Sequence, residues 1–272
     1  MIPDKLTADY SENYKVSIRL MPDGLSFWGY IPSEKDSFFM ETFVFDHDKS
    51  TVDALKNIFF TYPCFSFNYQ SFYVINAYRK FTLASDHVFI EKEKDRLFSY
   101  CHFKDKSEKV LVQHLKALNA SIMFSVDKEA YAFLLRSLTN PLFIHSLSPL
   151  LIAWYRKSLL IFPKLLHVEI NEHTIDVLCV EHGELLFVNA YHFDNANDII
   201  YYIMYICKQT GFNQLEDYLT ISGNKSFCQP VLSIINQYIK QSNYLKPTLT
   251  GYQVALDYEL TLDIVALIEC GV

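Results

Sequence analysis

The stretch LLHVEINEHTIDVLCVEHGELLFVNAYH, residues 165–192, decides the fold. Two short polar segments divide it into three β-rich runs: Leu165–Ile170, Ile175–Glu181 and Leu185–His192. The second segment, His182–Glu184, contains a glycine, which is typical of a hairpin turn. The sequence therefore predicts three successive hairpin-like strands.

The pattern changes after this stretch from strand to helix. Asp194 or Asn195 is a candidate N-cap for an apolar helix over 197–210, which ends at Gly211. The remaining predicted elements of this half are a strand over 218–222 and two helices over 229–241 and 260–270. The second half thus begins with the order β-β-β-α.

The first half shows the same order. Its predicted strands cover 16–20, 25–31 and 38–45, and Asp23-Gly24 gives the hairpin signal between the first two. Ser50 then caps a helix that Tyr62-Pro63 ends. Further predicted strands cover 71–75, 79–83, 120–125 and 142–146, and helices cover 127–138 and 149–157.

The repeated order indicates an α/β (α+β) chain of two similar domains, residues 1–158 and 159–272, with the boundary near 157–164. A chain of 272 residues is longer than a usual single domain. We expect each half to hold a mixed five-stranded sheet whose first three strands are antiparallel.

Charge and hydropathy exclude several classes of partner. The net charge of -7 gives no general attraction to phosphate backbones or anionic lipid, so we expect neither nucleic acid nor a membrane surface as a partner. The longest uncharged stretch, 137–155, is interrupted by Asn140, Pro141, His145 and Pro149, which argues against a membrane span.

The six cysteines are scattered and form no Cys-x-x-Cys pair, so we expect reduced core thiols rather than a zinc site or disulfides. Residues 1–14 contain charges at Asp4, Lys5, Asp9 and Glu12 and do not resemble a secretory signal. The expected location is the cytoplasm.

The duplicated order, together with the strand end Ile221-Ser222-Gly223, resembles the actin-like ATPase superfamily, in which two ribonuclease H-like domains face each other across a nucleotide cleft. The chain is similar to a Bacteroidetes family of unknown function with that fold, and more distantly to pilus-assembly and cell-division branches. In those branches the second domain opens with a strand that ends in His-Val-Asp-x-Gly. A Ser or Thr follows, and then a Gly-Glu-Leu turn. Here the matching residues are 167–174 and 183–185, and the resemblance extends over about 15–266.

The resemblance implies ATP and Mg²⁺ as the cofactors to test. Actin-like ATPases hold phosphates with backbone N–H groups of two glycine-containing hairpin turns. The positions that match their nucleotide site are Ser17, Arg19, Glu169, Asn171, Thr174, Gly223, Asn224 and Lys225. Neither phosphate turn keeps its glycine, because Arg19 and Asn171 lie at or near the glycine positions. The resemblance therefore implies that ATPase activity is weakened or lost. It assigns no catalytic residue.

Each of these residues has an ordinary interpretation as well. Glu169 could position a metal-bound water, but a single carboxylate holds Mg²⁺ weakly, and a salt-bridged surface residue is the alternative. The Walker pattern Gly-x-x-x-x-Gly-Lys is absent around Lys225, so a lysine exposed to solvent is the alternative. The histidines lack the spacing of a helical metal site. A ribonuclease H-like nuclease would need several converging carboxylates, and only Glu169 and Asp176 offer themselves.

We expect Arg19, Glu169, Asn171 and Gly223 to lie near strand ends at the groove between the domains, where Arg19 fills the phosphate space or pairs with Glu169. The 22 Phe and 19 Tyr include adjacent pairs, such as Phe38-Phe39, of which one member should face outward. Outward aromatic residues favour a protein partner or a homo-oligomer. The sequence therefore leaves two functions open. The first is a degenerate actin-like protein that acts through protein contacts, and the alternative is a nucleotide-binding protein or ATPase.

Overall fold

The computed structural model describes residues 2–46, 48, 50–78, 80–160, 163–171, 173–255, 258 and 260–271. The chain divides into two compact units, one formed by Met1–Ser146 with Leu249–Tyr258 and the other by Leu147–Thr248 with Glu259–Val272. The domain limits at 158 and 159 stay a prediction.

The first unit is built on a mixed five-stranded sheet with a second, smaller sheet beside it. Its described strands are β1 (Lys15–Met21), β2 (Gly24–Tyr30), β3 (Phe39–Val44), β4 (Ser71–Asn76), β5 (Phe81–Ser85), β6 (Glu108–Leu115), β7 (Ala120–Asp127) and β8 (Leu142–His145). The main sheet has the order β3-β2-β1-β4-β8, and β1, β2 and β3 pair antiparallel whereas β4 and β8 run parallel to β1. This is the predicted arrangement.

The smaller sheet has the order β5-β7-β6 and is antiparallel. The sequence predicts β5 and β7 as strands but leaves β6 unassigned. Arg79, which the prediction includes in β5, lies outside the described residues.

Three helices of the first unit are described: α1 (Thr51–Thr61), α2 (Lys94–Cys101) and α3 (Lys128–Ser137). The Ser50 hydroxyl accepts a hydrogen bond from the Asp53 N–H at 3.2 Å, and Asp127 accepts one from Ala130 at 2.8 Å. Each cap satisfies an N–H group that has no partner inside its helix. The caps explain why the two helices begin where the sequence predicts.

The first core lies under the alternate residues Val16, Ile18 and Leu20 of β1, which are all buried. Phe38 and Phe39 are both buried as well, so the expectation of one outward ring is wrong for this pair. The reason is that β3 begins only at Phe39, and the Phe38 ring, which precedes the strand, lies 6.4 Å from Trp28 and 6.0 Å from Tyr258.

The second unit repeats the main sheet. Its described elements are α4 (Leu147–Ser158), β9 (Leu165–Ile170), β10 (Thr174–Glu181), β11 (Glu184–His192), α5 (Ala196–Thr210), β12 (Tyr218–Gly223), α6 (Lys225–Ile235), β13 (Gln241–Tyr244) and α7 (Leu262–Cys270). The sheet order is β11-β10-β9-β12-β13, with β9, β10 and β11 antiparallel and β12 and β13 parallel to β9. The β-β-β-α repeat is therefore confirmed in both units.

Two details of this unit differ from the prediction. The helix expected over 229–241 is α6, which begins at Lys225 because Asn224 caps it, and ends at Ile235. Residues 241–244 form the edge strand β13, which the sequence does not indicate.

The two faces of the second sheet carry different residues. Leu166, Val168 and Ile170 belong to the core packed by α5 and α6. His167 and Glu169 alternate with them and point to the opposite face. There the Trp154 ring of α4 stacks on His167 with 4.7 Å between ring centroids. This opposite face contains the candidate site of the second unit.

No helix among the described residues combines the length and apolar character needed to cross a membrane.

All cysteine thiols are free in the structure, and they differ in exposure. Burial raises the pKa of Cys64 and Cys179 to about 11 and that of Cys207 and Cys228 to about 12. Because the thiolate is the nucleophile, these four should react with a maleimide at neutral pH only after unfolding.

In the native protein we expect Cys101, which is exposed, to be labelled first and Cys270 more slowly. Mass spectrometry of the native and the urea-unfolded protein would count the labels. Rapid native labelling of the four buried thiols, or an unreduced mass that shows a disulfide, would contradict this expectation.

Candidate functional site

Several predicted site residues lie together where β9 and β12 end. The two strands are parallel neighbours, and Ser222 pairs with Glu169 and Gly223 with Ile170. Because parallel strands end at the same edge of a sheet, Glu169, Asn171, Gly223 and Asn224 are brought to one edge of the second unit.

Gly223 allows this close approach. Its φ is +96°, and a Cβ atom there would lie 2.0 Å from the carbonyl oxygen of Ile170. The following Asn224 N–H donates to the same oxygen at 2.8 Å. Only glycine fits a backbone with this φ and this contact.

Glu169 is buried in a polar cluster, so its interpretation as a surface residue is wrong, whereas His167 Nε2 lies 3.5 Å from its Oε2 atom, within ion-pair distance. It is 8% exposed, and its Oε2 atom accepts a hydrogen bond from the Ser222 hydroxyl. His167 Nε2 lies 3.2 Å from the Ser222 oxygen, and His167 Nδ1 lies 2.9 Å from the Thr220 hydroxyl. The reason for the burial is the alternation of β9, which directs Glu169 to the face beside α4.

The hydrogen bonds of this cluster have one consistent direction. The Ser222 hydroxyl has a single proton, which it gives to Glu169, so His167 Nε2–H must donate to Ser222. In a neutral ring Nδ1 then accepts the proton of Thr220. The chain of donors runs from Thr220 through His167 and Ser222 to the carboxylate. We call these four residues the Glu169 cluster.

The Glu169 cluster is covered, and its four side chains are linked by hydrogen bonds. All four residues are buried, and the Trp154 ring stacks on His167. One carboxylate oxygen of Glu169 is already engaged by a hydroxyl. Over the described residues, no group of three or more His, Cys, Asp and Glu side chains is placed to hold a metal ion. The cluster as it stands offers little charge to a hydrated Mg²⁺.

Asn171 and Thr174 close the hairpin between β9 and β10. The Asn171 N–H donates to the Thr174 carbonyl at 2.8 Å, and the Asn171 amide donates to Asp176 at 3.1 Å. The Thr174 hydroxyl is buried and has no hydrogen-bond partner among the described residues. In this turn the side chain of Asn171 thus occupies the place where the resemblance calls for glycine.

Asn224 and Lys225 lie at the start of α6. The Asn224 side chain accepts hydrogen bonds from the Ser226 N–H at 3.0 Å and the Ser226 hydroxyl at 2.6 Å. Lys225 is exposed, as expected for a solvated lysine. The protein's own side chain therefore occupies the cap position of this helix.

Ser17 and Arg19 lie on β1 of the first unit. Ser17 is buried, and in the sheet it lies opposite Trp28 of β2 and Tyr73 of β4. Arg19 is half-buried, two residues before the strand ends at Met21. The approach of Arg19 to Glu169 stays a prediction, as does the role of both residues at a groove.

The first unit also contains a surface cavity of about 670 Å³. Aromatic rings of Tyr14, Phe38 and Tyr258 and charged groups such as Glu34 and Lys35 line it. None of the predicted site residues lines this cavity.

The sequence contains a signal for the Glu169 cluster that the prediction did not use. His167 and Glu169 are two residues apart in an apolar strand, and so are Thr220 and Ser222. Polar residues at period two in two neighbouring parallel strands share one face, so the pattern indicates a polar strip across the sheet.

Solved structures show the fold of the chain. A Bacteroides thetaiotaomicron protein, described as having an actin-like ATPase fold and unknown function, is 29% identical, with a TM-score of 0.84 over 99% of this chain and 100% of that one. The PilM–PilN type IV pilus biogenesis complex contains a chain that is 9% identical, with a TM-score of 0.50 over 86% of this chain and 88% of that one. The chain has the actin-like ATPase fold, as the resemblance implies.

A search of curated proteins gave no match. The sequence matches the family described as "Protein of unknown function (DUF3822)" over residues 3–242. That match covers most of the chain, and the similar Bacteroides structure agrees with the predicted Bacteroidetes relationship. The chain belongs to the DUF3822 family.

Proposed function

We propose that this protein is a non-catalytic actin-like protein that acts through contacts with other protein chains in the cytoplasm. The observation that supports it most is the state of Glu169. The carboxylate that would face a metal-bound water accepts a hydrogen bond from Ser222 and is buried, on the sheet face where the Trp154 ring of α4 stacks on His167. Releasing it would leave the proton of the buried Ser222 hydroxyl without an acceptor, at a cost of about 1 to 3 kcal/mol.

Two further features support the loss of phosphate binding. Asn171 puts a side chain, bonded to Asp176, into the turn where a phosphate would need bare backbone. The side-chain oxygen of Asn224 accepts a hydrogen bond from the Ser226 N–H at the start of α6. An entering anion would have to displace both.

A similar fold in a protein complex supports action through protein contacts. The PilM–PilN structure is a complex, so a chain of similar fold takes part there in a protein assembly. Free thiols in every described cysteine suit a reducing compartment.

A nucleotide-binding protein is the second candidate. It is favoured by the close turn at Gly223 and by the buried Thr174 hydroxyl, which lacks a partner in the part of the chain described. A ligand could supply that partner. The two proposals differ in whether ATP binds the native protein.

We expect ATP with Mg²⁺ to leave the melting temperature of the protein unchanged. A ligand that binds only the native state stabilises it by about 2.7 kcal/mol at a concentration of 100 times its Kd, which a thermal-shift measurement detects easily. Calorimetric titration with Mg²⁺-ATP should show no binding heat. The double variant Arg19→Gly, Asn171→Gly should gain no ATPase activity, because Ser17 still stands where the resemblance places a metal-holding aspartate.

Micromolar ATP binding would overturn the non-catalytic proposal and favour the second candidate. In that case Asn224→Ala and Lys225→Ala should weaken binding, whereas Lys56→Ala should not. Lys56 is a matched exposed lysine that pairs with Asp53 on α1, far along the chain from the predicted site.

A further inference from the structure

The surface cavity of the first unit has an aromatic lining. Its volume of about 670 Å³ lies within the range of small-molecule sites, which is about 300 to 1,000 Å³. Tyr14, Phe38 and Phe39, which are buried, contribute to the lining, and so does the half-buried Tyr258. The rings of Phe38 and Tyr258 lie 6.0 Å apart, edge to face. This lining suits the apolar part of a ligand.

Charged side chains of both signs line the same cavity. They are the carboxylates of Asp4, Glu34 and Asp36 and the ammonium groups of Lys5 and Lys35. Among the described residues, none of the five forms an ion pair with another side chain. Opposite charges that do not neutralise each other remain available to a ligand that carries both signs.

The Tyr14 hydroxyl is a polar group of this cavity that lacks a partner. Tyr14 is 2% exposed, and its hydroxyl forms no hydrogen bond with any described residue. Solvent reaches the hydroxyl, because the sealed side-chain polar atoms without partners belong, in the described part of the chain, to other residues. Burial raises the pKa of Tyr14, and the charge of Glu34 lies close enough to add to this effect. The phenol is therefore neutral at physiological pH and available to a ligand beside Glu34.

Hydrogen bonds fix the loop that carries Glu34. The Ser37 hydroxyl accepts a hydrogen bond from the Ile31 N–H at 2.8 Å and donates to the Glu34 carbonyl at 2.6 Å. The Tyr10 hydroxyl donates to Glu34 Oε1 at 2.9 Å, which orients the carboxylate and leaves its other oxygen to a ligand. Because the loop is already ordered, binding costs less conformational entropy.

We propose that this cavity binds a small zwitterion with an apolar side chain, of the class of a free apolar amino acid. The ligand's ammonium group lies between the Glu34 carboxylate and the Tyr14 oxygen, its carboxylate faces the two lysines, and its side chain packs on the aromatic rings. A purely cationic ligand would meet the lysines, and a purely anionic one would meet three carboxylates. The site goes beyond the proposed function, since it gives the first unit a ligand of its own.

Calorimetric titration of the full chain with L-phenylalanine or L-leucine should show saturable binding. Two analogues of phenylalanine each lack one charge: 2-phenylethylamine has no carboxylate, and 3-phenylpropionate has no ammonium group. Each should bind about three- to tenfold more weakly than phenylalanine. L-Alanine keeps both charges but lacks the ring, so it should bind at least about tenfold more weakly.

Three variants test the assigned contacts. Glu34→Gln should weaken binding of phenylalanine and of 2-phenylethylamine about three- to tenfold, without weakening that of 3-phenylpropionate. The double variant Lys5→Gln, Lys35→Gln should have the opposite preference. Tyr14→Phe keeps the ring and removes the hydroxyl, so we expect a loss of about two- to tenfold.

Matched controls lie on the same unit and do not line the cavity. Glu129→Gln, Tyr100→Phe and the double variant Lys56→Gln, Lys128→Gln change exposed residues of the helices. They should leave the affinity for phenylalanine unchanged. Circular dichroism would confirm that all variants fold.

Absence of binding of both amino acids at millimolar concentration would overturn the proposal. Equal affinity of phenylalanine and its two singly charged analogues would overturn it too, as would unchanged affinity in all three cavity variants. None of these measurements involves nucleotide. Failure of this site is thus distinguishable from failure of the non-catalytic proposal, which ATP binding would show.

Discussion

Gly223→Ala should destabilise the protein by about 3 to 5 kcal/mol. An alanine Cβ at φ +96° would lie 2.0 Å from the Ile170 oxygen and 2.8 Å from its carbonyl carbon. Since both atoms are backbone, the ends of β9 and β12 would have to separate and lose the 2.8 Å hydrogen bond from the Asn224 N–H to Ile170. Urea unfolding followed by circular dichroism would measure the change.

Gly211→Ala is the matched control. Gly211 also has a positive φ, +62°, but its Cβ would meet no atom within 4 Å. Its cost should be only the conformational strain of alanine, about 1 kcal/mol. Equal urea midpoints for Gly223→Ala and Gly211→Ala would mean that the close contact between Gly223 and the Ile170 backbone does not affect the cost of the substitution.

Much of the fold could be predicted because its key signals are local. The strands β9, β10 and β11 are separated by short polar segments, and glycine at 183 marks the second turn. A hairpin needs only neighbouring residues, so alternation and turn chemistry are sufficient to predict it. The repeat of this order in both halves then favours the actin-like arrangement.

Elements that depend on distant partners were harder to predict. Strand β13, with the sequence QSNY, is short and polar, and it exists because it pairs with β12. Strand β6 lies in a charged region and is held by β7. Their β-structure comes from tertiary pairing rather than from local propensity.

In the candidate site, too, local features could be predicted and contacts between distant strands could not. The resemblance predicts that Glu169 and Gly223 lie near strand ends. In the structure they share one edge because β9 and β12 are parallel neighbours. The partners of Glu169 depend on register, because a shift of one residue would turn Ser222 to the other face. Register between strands so distant in the chain could not be predicted from the sequence.

His167→Ala should cost about 3 to 4 kcal/mol. It removes a buried ring that stacks on Trp154 at 4.7 Å, and it removes the partner of the Thr220 hydroxyl and one of the two partners of the Ser222 hydroxyl. A buried polar group without a partner costs about 1 to 3 kcal/mol, and the space left by the ring adds to that. The shift of the urea midpoint would give the loss of stability.

His114→Ala is the control for this loss. His114 is also bonded to a serine, with its Nδ1 2.7 Å from the Ser121 hydroxyl, but its side chain is 55% exposed. Water can replace the histidine there, so we expect a cost below about 1 kcal/mol. Glu169→Gln should also be mild, because its amide oxygen can still accept the Ser222 proton.

The stabilities of His167→Ala and His114→Ala together show whether the cluster holds Glu169 in place. If His167→Ala were as mild as the control, the Glu169 cluster would be loose, and the carboxylate would be free to turn toward a metal-bound water. A large cost for His167→Ala beside a small one for His114→Ala would mean that the fold depends on the cluster. Catalysis by Glu169 would then require breaking a buried network that stabilises the second unit, which is the physical basis for expecting none.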